Sequence, residues 1–393
     1  MASVEWQYRN TVLSLVVLAN LGQMASRLVI SPLVPDILDT FSTSKAAVGL
    51  ALTGMWVAYA LVQFPSGVLG ARFGERRVIA VSLGLIAVGS IWLAVSPSFV
   101  FFGCAVFFLG AGAGLYFSVA ANLLSKLFSK HGQAIGFTTA AGSLAGLVAP
   151  VVGAYVGTQY SWRVAALLGA AIALPLLVLF RLRVRPTRPE SPNESLRRQV
   201  TLSTMVGFLT APSVVYTIFL AAAGTFAFQA VISFFPTFLV EQRHLTTQSA
   251  GLLFGVIFLL SAMAQPLTGR LSDKVGHDIV IAGSMLVAMA GLLLLLYETP
   301  WFGVAGAVLL LGIGLSWFPV VLSRFLYVLP DTDRSKGFGL VRTVYMLFGA
   351  LGSLVTGTVA QTQGWMMAYG VVAGLLAFSV LLIVVNQLAD LDL

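Results

Sequence analysis

Three arginines, Arg27, Arg324 and Arg342, stand inside otherwise apolar runs, and a cation in hydrocarbon is costly enough to mark a function or a partner. Polar and aromatic residues gather around such positions at helical spacing. Asn20, Gln23, Arg27 and Ser31 recur every three or four residues and share one helix face; Thr225, Gln229 and Ser233 do the same. Trp56, Tyr59 and Gln63, then Tyr116, Ser118 and Asn122, and finally Phe258, Ser261 and Gln265 add three more stripes. A guanidinium pairs strongly with a desolvated carboxylate or phosphate, so the expected chemistry is recognition of a small anion. The substrate-binding candidates are Asn20, Gln23, Arg27, Trp56, Tyr59 and Tyr116 in the first half, with Asn122. Gln229, Arg324, Arg342 and Tyr345 are their counterparts in the second.

The carboxylates complement this. Of fourteen, none is expected at mid-span: Asp36 and Asp39 close the first run, Glu241 the seventh and Glu298 the ninth, and the rest are expected on the cytoplasmic side. A pump exchanging a drug for a proton usually needs a buried carboxylate, so Asp36, beside Pro35, is the remaining coupling candidate. His131, His244 and His277 lie in connecting segments, and Cys104, among Phe101, Phe102 and Val106, reads as packing. No catalytic or metal-ligating cluster is formed, so neither an enzyme nor a cofactor is expected.

Helices must hold these residues. With 393 residues, 58% hydrophobic and 9% charged, the chain is outside the range of soluble domains, and a backbone in lipid is satisfied only by spanning helices or a closed barrel. Apolar windows fall at about 11–35, 47–70, 77–95, 99–125, 134–157, 164–181, 212–240, 249–270, 279–297, 302–327, 338–361 and 366–387. This predicts an all-α integral membrane protein of twelve spans. A Pro- and Arg-rich linker at 184–210 separates halves at 1–183 and 211–393. No removable signal peptide is expected before the first run.

Sixteen of the 22 Lys and Arg fall in alternate connections and the N-terminal segment, against Lys45, Arg163 and Arg243 on the other side, which predicts both termini in the cytoplasm and leaves Asn193 unglycosylated. The net charge of +8 is thus a topology signal rather than a nucleic-acid footprint. On this topology Arg27 lies roughly 7 Å from the middle of its span, Arg324 roughly 14 Å and Arg342 roughly 11 Å. Side chains lean toward their helix N-terminus. Arg27 and Arg324 therefore lean toward mid-membrane, while Arg342 leans away and can snorkel.

The halves repeat. Gly49, Gln63, Gly67, Gly74, Gly110 and Gly112 match Gly251, Gln265, Gly269, Gly276, Gly312 and Gly314 at an offset of 202, and Gly136, Gly146 and Trp162 match at 203. Such a duplication predicts two six-helix repeats with a substrate site between them, the plan of a rocking transporter.

Two segments carry a family resemblance. Gly67-Val-Leu-Gly-Ala-Arg-Phe-Gly-Glu-Arg-Arg77 resembles the loop signature of the major facilitator superfamily, and Gly269-Arg-Leu-Ser-Asp-Lys-Val-Gly-His277 repeats it. Ala71 replaces the signature's aspartate in the first copy; Asp273 keeps it in the second. The resemblance implies twelve spans, with Gly67, Arg72, Gly74, Arg76, Gly269, Asp273 and Gly276 in gating loops. It also implies that spans 3, 6, 9 and 12 face lipid, and these hold little polar beyond Ser82, Ser90, Ser284 and Ser379. Gly142, Gly146, Pro150 and Gly153 resemble in part the fifth-span pattern of the family's drug/proton antiporters. The same spacing lets helices pack closely.

The expected function is transport of a small organic anion, a carboxylate first, by alternating access in the plasma membrane, by a monomer with no nucleic-acid partner. Uniport, exchange and symport with a coupling proton stay open. Multidrug export is the rival within the class, and a non-transporting receptor is the rival outside it.

Overall fold

The computed structural model describes residues 2–128, 131–187, 189, 210–297, 300–329 and 334–391. Most of the expected linker, with Arg188, Asn193 and Glu194, lies outside the described residues, as does Glu298. Among the described residues every regular element is a helix, and eleven stretches are long and apolar enough to cross a membrane. The last, Phe338–Leu388, is two spans, because Gly364 takes φ 85° and ψ 171° and bends it; glycine adopts that φ without a Cβ clash. Twelve spans result, in the expected windows: Trp6–Phe41, Lys45–Phe73, Glu75–Ala94, Phe99–Leu127, His131–Gln159, Trp162–Arg183, Pro212–Arg243, Thr247–Val275, His277–Leu296, Trp301–Val328, and the two either side of Gly364.

Several spans are broken where the sequence weakens the helix ladder. The first passes through a 3-10 turn at Ser31–Leu33, where Pro32 lacks a donor. The fourth breaks at Leu115, and the tenth at Leu315–Trp317 ahead of Pro319.

The chain forms two compact units, residues 1–41 with 54–199, and residues 42–53 with 200–393. In the first, span 4 touches spans 2 and 3 backbone to backbone: a Cβ on Gly110 would fall on the Met55 carbonyl, and one on Gly112 would come within 3.1 Å of the Ile86 nitrogen. The second unit repeats this at the same offset, with Gly312 against the Ile257 carbonyl and Gly314 against the Ala288 nitrogen. The duplication read in the sequence is therefore also a duplication of helix contacts, made possible by small residues at the crossings.

Residues 42–53 are the start of the second span, yet they pack in the second unit. Lys45 pairs with Glu241 at 2.9 Å. The Thr53 hydroxyl enters the helix ladder of the eleventh span, donating to the Ala350 carbonyl at 2.9 Å and accepting from the Leu354 N–H at 3.0 Å.

The fifth-span glycines serve packing. Gly142 leaves 3.1 Å for Asn20 Nδ2, and Gly153 and Gly157 lie under Val29 and Leu33 of the first span. Cys104 corrects its expectation: it is exposed on the fourth span rather than packed inside, because Phe102, Ala105 and Val106 take the inward face.

Gly110→Val should push the second and fourth spans apart, at a cost of about 1–3 kcal/mol. Thermal unfolding in detergent should show a lowered Tm, while Gly103→Val, with nothing within 4 Å of its Cβ position, should leave Tm near the parent.

Candidate functional site

Arg27 sits near the end of the first helical stretch, Ala2–Leu28, and only 3% of it is exposed. Its neighbours one turn back supply the first contacts. Arg27 Nη2 donates to Gln23 Oε1 at 2.6 Å and approaches Met24 Sδ at 2.9 Å, while Nε donates to the Gln23 carbonyl at 3.2 Å. Gln23 Nε2 donates in turn to Asn20 Oδ1 at 2.8 Å, and Asn20 Nδ2 donates to the Thr138 carbonyl of the fifth span at 2.6 Å. The polar stripe of the first span is thus one hydrogen-bonded row ending in a guanidinium.

Two aromatic rings of the second span cover that guanidinium. Its centre stands 4.8 Å from the Trp56 ring and 4.4 Å from the Tyr59 ring, and the rings meet edge to face at 5.7 Å. Cation–π contact stabilises the charge by about 2 kcal/mol when desolvated but leaves it uncompensated. Among the described residues no carboxylate is ion-paired with Arg27. Tyr116 is fully buried in the same unit and donates its hydroxyl to the Val16 carbonyl. The structure therefore gathers Asn20, Gln23, Arg27, Trp56 and Tyr59 directly, with Tyr116 anchored on the same span.

Arg324 is placed differently. Its Nη1 pairs with Asp278 Oδ1 at 2.7 Å, its Nε donates to Thr217 Oγ1 at 3.1 Å, and it lies over the Tyr216 ring at 5.0 Å. Tyr216 and Asn386 both donate to Asp278 Oδ2, at 3.2 and 3.4 Å. One carboxylate thus ties spans 7, 9, 10 and 12. Asn122 also turns to a carboxylate, donating to Glu75 Oε1 at 2.8 Å, where Lys126 forms an ion pair. Glu75 and Asp278 correct the expectation that such carboxylates merely belong to the connections: only 1% of the Glu75 side chain and 13% of the Asp278 side chain are exposed. Both begin a span, and helix geometry turns them inward. The signal in the sequence was their register, since Glu75 and Asp278 differ by 203, and Asn122 and Arg324 by 202.

The other candidates scatter. Gln229 is buried, and its Oε1 has no hydrogen-bond partner. In the stripe around Gln229, Ser233 bonds Ser353 of the eleventh span at 2.6 Å, and Thr225 lies under Gly349. Arg342 is half-buried, and Tyr345 stacks on Phe325 at 5.8 Å. Asp36 is half-buried in the first turn of Val34–Phe41.

In the loop signatures, Gly74 and Gly276 take φ 85° and 94°, the left-handed region that permits the sharp turn between spans. A Cβ on Gly74 would come within 2.6 Å of the Thr187 carbonyl; the Thr187 hydroxyl accepts from the Arg76 N–H at 3.2 Å, and the Arg76 side chain donates to the Arg181 carbonyl. Arg72 and Asp273 are exposed, while Gly67 and Gly269 have open space around them.

Comparison with known proteins places this geometry. The model of the Major Facilitator Superfamily matches residues 16–261 and 241–389. A hexuronate transporter of Bacillus subtilis (strain 168) is 23% identical over 93% of this chain and 92% of its own. A nitrite extrusion protein of the same organism is 29% identical over 62% of this chain and 60% of its own. Among solved structures, a bacterial homolog of the human lysosomal transporter Spinster superposes with a TM-score of 0.82 at 15% identity, covering 96% of each chain.

The Asp278–Arg324 pair gives a direct stability test. Asp278→Ala strands a buried guanidinium and should cost about 3–5 kcal/mol, read as a lowered Tm. Asp278→Ala with Arg324→Leu removes both charges and should recover most of that loss.

Proposed function

The chain belongs to the Major Facilitator Superfamily, and we propose that this transporter moves a small organic anion, a carboxylate before a phosphorylated or inorganic one, across the plasma membrane by alternating access. It is a carrier and not an enzyme. The observation that carries the anion reading is the Arg27 guanidinium, buried within a membrane span and holding, among the described residues, only neutral oxygen, sulfur and π contacts. Arg324, by contrast, already has its carboxylate. An anion entering beside Arg27 supplies the missing charge, and in a dry site that pairing is strong and directional.

Two of the relatives support this reading, beside others named for sugar efflux and riboflavin transport. A hexuronate is a sugar bearing a carboxylate, and nitrite is a small anion. Drug export is less well supported, because the glycines that suggested it serve as contacts between the first and fifth spans and no acid is paired with Arg27. The distribution of Lys and Arg favours cytoplasmic termini.

Uptake of radiolabelled hexuronate or another small carboxylate into proteoliposomes tests the reading. Losing one partner of a desolvated charge pair costs about 2–5 kcal/mol, so Arg27→Gln should weaken transport by roughly thirtyfold or more. Arg27→Lys, which keeps the charge but not the fork, should retain a part of it. Anion uptake that survives Arg27→Gln unchanged, or transport of lipophilic cations alone, overturns the proposal.

A further inference from the structure

Gln63 is a buried side chain that no part of the site described so far uses. It is 7% exposed, and among the described residues its Nε2 has no hydrogen-bond partner. Burying an amide donor without a partner costs stability that an apolar residue would not. Its position gives that cost a use. Trp56 and Tyr59 turn their rings to Arg27, and Gln63 follows Tyr59 by four residues, so it shares their helix face. One helical turn sets it about 6 Å further along the span. Its own carbonyl accepts from Ser66 at 2.7 Å, which occupies the backbone and leaves the amide nitrogen. The glycines fix this stretch of the second span against the fourth on both sides of Gln63, since Gly114 abuts Tyr59 and a Cβ on Gly70 would come within 3.3 Å of Val119.

Building on the anion reading of Arg27, we infer that Gln63 is a specificity residue that donates to a second oxygen of the substrate. The transported anion is then bifunctional, a hydroxylated or otherwise oxygen-bearing carboxylate whose second acceptor lies about one helical turn from the carboxylate. Arg27 holds the charge. Gln63 reads the rest of the molecule, and a plain carboxylate of equal size leaves its amide unpaired. Sites built to hydrogen-bond a hydroxyl discriminate strongly against the analogue lacking it, for that reason.

The test is ligand-induced thermal stabilisation of the purified full chain, with glucuronate and cyclohexanecarboxylate as a pair matched in ring size and charge. The parent should bind glucuronate at least about tenfold more tightly, the worth of one well-made hydrogen bond, and Gln63→Met should bring the ratio close to one. The ligand-free Tm separates this from a structural role, because replacing an unpartnered buried amide by an apolar isostere should leave Tm level or raised. A parent that binds both acids alike, or a ratio that survives Gln63→Met, overturns the inference and leaves the anion reading standing. A Tm lowered by Gln63→Met also counts against it. If neither acid stabilises the parent, the anion reading falls and takes this inference with it.

Discussion

A guanidinium that cannot shed its proton, held within the thickness of a bilayer and ion-paired with no carboxylate among the described residues, is the constraint from which the first unit follows. Hydrocarbon makes such a charge expensive, and the surroundings of Arg27 are arranged to lower that cost without cancelling the charge. Gln23 turns its amide oxygen to the guanidinium, Asn20 holds Gln23, and the fifth span holds Asn20 through the Thr138 carbonyl. Two rings from the second span cover the face that hydrogen bonds leave open. Those rings are in reach because Gly110 and Gly114 bring the fourth span onto the backbone of Met55 and Tyr59. Packing, polar row and aromatic cover form one device for keeping a cation buried.

The second unit uses the same scaffold for a different end. Its helix crossings match those of the first at an offset of 202, glycine for glycine. The chemistry has diverged on that frame. Gln229 occupies the register of Arg27, and Arg324 the register of Asn122. In both units a carboxylate at the head of the third helix is gripped from the fourth, by Asn122 and Lys126 on Glu75 and by Arg324 on Asp278. Buried ion pairs of this kind add little net stability but penalise loss of either member heavily, which suits a joint that must hold several spans in register.

Much of this was legible in the sequence, for physical reasons. Apolar length fixes the number of spans, since nothing but helix satisfies a backbone in lipid, and the period of 3.6 places Asn20, Gln23 and Arg27 on one face. The aromatic pair Trp56 and Tyr59 was visible as a stripe, although its contact with Arg27 required the fold. What escaped was long-range. Glu75 and Asp278 stand next to connecting segments in the sequence and read as loop residues, and only three-dimensional packing turns them inward toward Asn122 and Arg324. Cys104 was read as buried because its whole run is apolar; in a membrane both faces of a helix are apolar, so composition does not tell core from lipid. The helix contacts of the stripe through Thr225 and Ser233 also needed the fold, since small hydroxyls at that spacing read alike whether they pack or line a path.

The most direct measurement is an experimental structure of the protein with a hexuronate bound. The account predicts a carboxylate oxygen within about 3 Å of the Arg27 guanidinium. An anion bound elsewhere, with Arg27 still committed to Gln23 alone, would contradict it.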